Sequence, residues 1–101
     1  MQFNLNKPFR ESLASSMRKI GYYFKGSNEE KEEMIFVRPL SKNDYPRFHI
    51  YLKIDPKSLI PSFSLHLDQK KPSYEGTAAH SGEYEGETIE KESKRIKQLL
   101  Q

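Results

Sequence analysis

The chain contains no cysteine and no tryptophan. Without thiols, disulfides, thiol catalysis and zinc sites of the cysteine type are excluded. No apolar run approaches the ~20 residues that a membrane-spanning helix requires. The opening stretch, Met1 to Pro8, has no apolar h-region, so no secretory signal is expected. These absences fit a reducing interior, and a cytoplasmic location is the expectation. Glycine motifs are also missing: there is no phosphate-binding loop and no Gly-x-Ser-x-Gly elbow around Ser73 or Ser81. Strong charge of one sign is lacking too. The net charge of +3 is too small to argue for nucleic acid by itself.

What is present suits one small domain. A chain of 101 residues has room for a single core. Hydrophobic residues make up 35% and charged residues 31%, so that core is thin and its surface heavily solvated. Six Phe and six Tyr supply the large packing groups.

Phe9, Leu13, Met17 and Ile20 recur at helical spacing, which predicts an N-terminal helix capped by Asn6, with Pro8 in its first turn and Gly21 ending it. Tyr22 to Phe24 is expected as a short edge strand, followed by a turn at Gly26-Ser27-Asn28. The charge run Glu29 to Glu33 reads as a loop or strand entry, and Met34 to Arg38 as a buried strand closed by Pro39. Arg47 to Ile54 alternates strictly, with Phe48, Ile50, Leu52 and Ile54 on one face and Arg47, His49, Tyr51 and Lys53 on the other. After turn chemistry at Asp55 to Ser58, a second alternation sets Phe63, Leu65 and Leu67 against Ser64, His66 and Asp68. Residues 69–86 have no sustained period. Glu87 to Leu100 reads as a helix with Thr88 as a cap, acids leading and bases ending. The expected fold is therefore α+β, in the order α-β-β-β-β-α. An antiparallel sheet of about four strands carries both helices on one face.

Parity constrains how the two alternating strands pair. Their apolar sets have opposite parity, so opposed residues must sum to an odd number. A sum of 115 sets His49 against His66 and Arg47 against Asp68. A sum of 117 sets His49 against Asp68 and Tyr51 against His66. Either way His49, Tyr51, His66 and Asp68 share the face away from the core.

Three readings of that face follow. In the first, His49, His66, Asp68, His80 and Glu83 bind a divalent metal (zinc, manganese or iron), and a bound water serves as a hydrolytic nucleophile. His66 and Asp68 lie two apart on a strand, about 7 Å at Cα, but no fixed metal motif is present. In the second, a histidine works as acid or base with Asp68 or Glu83 and with Tyr74 or Tyr84, while Lys70 and Lys71 hold an anionic ligand. In the third, the face binds nucleic acid through Arg47, Lys53, Tyr51 and His49, or the segment 69–86 engages a protein partner. The bland alternative is that His49 and His66 hydrogen-bond on a half-open sheet.

The element order resembles that of double-stranded-RNA-binding domains, although Lys70-Lys71 precedes the long segment instead of opening the last helix, and the most specific part of that pattern is missing. Arg47 to Lys53, His66 to Pro72 and His80 to Tyr84 together resemble a family of small prokaryotic proteins of unassigned function. That similarity covers the C-terminal two-thirds of the chain and implies no activity.

Overall fold

A computed structural model of the chain describes residues 1–69, 82–83 and 85–101. The described elements are β1 (Gln2–Asn4), α1 (Leu13–Lys19), β2 (Tyr23–Asn28), β3 (Glu33–Pro39), β4 (Arg47–Ile54), β5 (Pro61–Asp68), β6 (Gly82–Glu83) and α2 (Glu87–Leu100). Five strands form an antiparallel sheet in the order β1-β5-β4-β3-β2, and the two-residue β6 also pairs with β5. Lys70, Lys71, Tyr74, His80 and Tyr84 lie outside the described residues. No described helix is long and apolar enough to cross a membrane.

The expected α+β architecture is present, with five strands on the main path of the sheet where about four were expected, and the short β6 beside them. Gln2–Asn4 pairs with Ser62–Ser64, so the sheet begins before the first helix. Three residues are too few for periodicity to reveal a strand, and Phe3 alone marks its buried side by stacking on Phe63 at 5.0 Å. The first helix is correspondingly shorter. Its N-cap is Ser12, whose hydroxyl accepts from the Ser15 amide at 3.2 Å, and Asn6 does not cap it. Instead the Asn6 amide donates to the Gln101 side chain. Phe9 still packs against the core, edge-on to Phe63, but from coil.

Gly21 does end α1. It sits at φ +91°, the Gly21 amide donates to the Arg18 carbonyl, and the Tyr22 amide donates to the Met17 carbonyl. These two bonds make a Schellman turn, and Tyr22 and Met17 both join the core beside it. Gly26-Ser27-Asn28 is strand and not turn. A bulge at Lys25 interrupts the pairing of β2 with β3, and the chain reverses at 29–32.

One face of the sheet holds the core. Phe36, Phe48, Ile50, Leu52, Phe63, Leu65 and Leu67 pack there against Met17 and Ile20 of the α1 segment and Ile89 and Ile96 of α2. Each such side chain contributes about 1.5–3 kcal/mol on burial. The stripe of α2 that faces the sheet also contains Glu92 and Ser93. Glu92 is 4% exposed and accepts from Tyr22 Oη at 2.7 Å, Arg95 Nε at 2.8 Å, Arg95 Nη2 at 3.0 Å and Arg38 Nη1 at 3.3 Å. Arg95 also donates to the Ile20 carbonyl at 2.6 Å, tying α2 to the open end of α1. Burial first, and then the Glu92 carboxylate, push the Tyr22 phenol pKa far up. This polar knot lies inside what the sequence presents as the acidic start of α2. The expected Thr88 cap is also replaced: Gly86 holds the N-cap position, with no side-chain cap bond.

The β4–β5 connection sets the register on which the open face depends. Asp55 Oδ2 accepts from the Lys57 and Ser58 amides and from the Ser58 hydroxyl, and the Asp55 amide donates to the Ile60 carbonyl. These bonds hold Asp55 ionised to lower pH than an ordinary aspartate. Ile54 then faces Pro61, and every opposed pair along the hairpin sums to 115.

Candidate ligand site on the open sheet face

Because alternate residues share a face, the registers arrange the open side of the sheet into cross-strand rows. Asp68 stands beside Arg47, which faces Pro39. His66 stands beside His49, then Val37 and Tyr23. Gln2 is followed by Ser64, Tyr51 and Ile35. Asn4 is followed by Ser62 and Lys53. One more step of the register places Glu33 opposite Lys53.

The first two rows interlock diagonally. Asp68 Oδ2 lies 3.2 Å from His49 Nδ1 and 3.6 Å from Arg47 Nε. All three side chains are largely enclosed, Arg47 at 13%, His49 at 18% and Asp68 at 23% exposure. Burial alone would raise the Asp68 pKa, but the hydrogen bond to His49 and the charges of His49, His66 and Arg47 outweigh it, and the net direction is down. Asp68 is therefore a carboxylate that only accepts, and the proton between the pair belongs to His49 Nδ1. In the neutral ring that tautomer leaves the lone pair on His49 Nε2. That atom is buried and has no hydrogen-bond partner among the described residues. The Arg47 guanidinium also lies over the Tyr45 ring at 4.6 Å.

Two further rings, Tyr51 and His66, close around this pair. The His49 ring is 4.7 Å from Tyr51 and 5.0 Å from His66, and Tyr51 meets His66 edge-on at 5.2 Å. Burial, and then the neighbouring His49, lower the His66 pKa to about 4; Asp68 opposes them and the Met1 amino group adds weakly.

Beside the rings a shallow groove of about 280 Å³ opens between Gln2, Asn4, Tyr51, Lys53, Ser62, Ser64 and Glu33. It exists because β5 carries two serines between the longer side chains of β1 and β4.

His49, Tyr51, His66, Asp68 and Arg47 are thus brought together as the parity argument expects. Lys53 is on the same face, two positions beyond Tyr51. Glu83 is placed in β6 opposite Leu67, and Gly82 opposite Asp68. Among the described residues, no three His, Asp or Glu are arranged to hold one metal ion. Sequence reasoning missed Gln2 and Asn4, because β1 was not legible, and missed Ser62, Ser64 and Glu33, because small or solvated residues on the outer face of a strand give no signal. No family model, no curated protein and no solved structure matches the chain.

Proposed function

We propose that the domain binds a small ligand on its open sheet face and that His49, oriented by Asp68, exchanges a proton with it there. The observation that carries this reading is the Asp68–His49 pair: an ionised carboxylate on Nδ1 and an unsatisfied Nε2 beyond it. A carboxylate in that position fixes the tautomer and stabilises the charged ring, which makes the far nitrogen a directed base. Arg47 holds Asp68 in place, and Tyr51 and His66 wall the ring from water. Of the readings the sequence raises, acid–base binding draws the most support, because Asp68 already pairs with His49 and Arg47 through Oδ2 and no three His, Asp or Glu among the described residues are arranged to hold one metal ion. Charge argues against the nucleic-acid reading. Arg47 stands beside Asp68, Lys53 stands beside Glu33, and Arg47 is occupied twice over.

The test is a screen of small polar fragments by 1H–15N NMR on the full chain. Saturable shifts at His49 and His66, lost in His49→Ala and kept in Leu99→Ala on the exposed side of α2, are expected. Absence of any ligand at these residues, or salt-dependent retention on RNA that Arg47→Ala and Lys53→Ala abolish, would overturn the reading.

A further inference from the structure

We infer that the groove beside the histidines takes a neutral, polyhydroxylated ligand of saccharide class, an inference that rests on the open face being a ligand site. The groove is a trough along β5. Ser62 and Ser64 form its floor, Gln2 and Asn4 of β1 one wall, and Tyr51 and Lys53 of β4 the other. The walls stand two inter-strand spacings apart, about 9.6 Å, so a flat ring can enter between them. The next residue on the same face of β5 is His66, so the trough leads to the ring cluster. Its volume of about 280 Å³ falls at the small end of ligand sites, which run from roughly 300 Å³ upward, and suits one or two sugar rings.

The chemistry of the lining decides the class. Two amides and two hydroxyls each both donate and accept. A sugar hydroxyl also does both, so four ambivalent groups in a two-by-two array match a row of hydroxyls better than they match an anion, which only accepts. Among the described lining residues the one cation is Lys53 and the one anion is Glu33, so that lining carries no net charge with which to select phosphate or carboxylate. Phe63 also borders the groove but keeps its ring in the core, and Tyr51 supplies an aromatic surface on the open face, against which the apolar C–H face of a pyranose can lie.

The described acids of the face lack the spacing that glycoside cleavage needs. Glycosidases place two carboxyl groups about 5–9.5 Å apart. Among the described residues, the two acids of the face, Glu33 and Asp68, stand beside Lys53 and Arg47, six residues apart on β4, or about 20 Å.

The experiment is a 1H–15N titration of the full chain with maltose, cellobiose, lactose and chitobiose, and with glucose 6-phosphate as the anionic control. At least one neutral sugar is expected to give saturable shifts at Asn4, Tyr51, Lys53, Ser62 and Ser64. Asn4→Ala, on an exposed edge, is expected to weaken it roughly 2- to 10-fold, as loss of one hydrogen bond does, and Ser64→Val to do the same from the floor. No response to any neutral sugar, tighter binding of the phosphate, or shifts indifferent to both variants would overturn the inference. If fragments bind at His49 and His66 while all four sugars fail, the saccharide assignment falls and the ligand face stands. If neither binds, both fall.

Discussion

Acid should weaken this fold through one histidine, and both the sign and the size can be worked out. His66 has a pKa of about 4 in the folded protein, lowered by burial and then by His49, whereas an unfolded histidine titrates near 6.5. Between those values the unfolded chain binds the proton and the folded chain does not, so stability falls as pH falls from about 6.5 to about 4. Full conversion of such a shift gives an upper bound of about 3.4 kcal/mol. Water reaches part of the ring, and screening reduces that to roughly 1.5 kcal/mol. In a domain of this size the loss corresponds to about 6–12 °C in melting temperature. Asp68 works in a separate window. Its pKa is lowered, so its contribution is present above the ordinary carboxylate range and is lost only below it. The assay is urea unfolding of the wild type and of His66→Gln at steps from pH 7.5 to 4. The wild type should lose roughly 1.5 kcal/mol more than the variant over that range. Equal slopes, or an NMR titration midpoint for His66 at 6 or above, would refute the reasoning.

Other expectations concern the scaffold. Glu92→Ala removes the acceptor shared by Tyr22, Arg38 and Arg95. Breaking a buried pair costs about 3–5 kcal/mol, but the two arginines are about 30% exposed and regain water, so urea denaturation should report about 2–3 kcal/mol. Tyr22→Phe, which leaves Glu92 its arginine donors, should cost about 1.5 kcal/mol by the same measurement. Gly21→Ala forces a side chain onto φ +91°, with its Cβ 3.3 Å from Arg38 Nε. A loss of about 1–2 kcal/mol is expected, and a melting temperature within a degree of wild type would contradict the Schellman reading.

How much was legible follows from period and length. β4, β5 and α2 are long and regular, so alternation and helical spacing located them, and parity restricted the β4–β5 pairing to odd sums, 115 and 117 among them. The Asp55 turn fixes the sum at 115 through side-chain bonds that periodicity does not encode. β1 has three residues and no period. α1 carries its stripe through Phe9 in coil, because Phe9 packs on Phe63 whether or not its backbone is helical. Glu92 looked like a dipole-matching surface acid because its partners, Tyr22 and Arg38, are 70 and 54 residues away in sequence. On the open face, His49, Tyr51, His66 and Asp68 were found because strand parity groups them. The groove beside them was not, since a depression is made by what Ser62 and Ser64 lack.

The central claim is that Asp68 directs the His49 proton. Long-range 1H–15N spectra of the imidazoles, taken near pH 7.5, where an ordinary histidine is neutral, measure it directly. The account predicts that His49 carries its proton on Nδ1 with Nε2 bare, and that Asp68→Asn shifts the proton toward Nε2 and removes fragment binding at His49. A wild-type His49 protonated on Nε2, or an Nδ1–H form indifferent to Asp68→Asn, would contradict it.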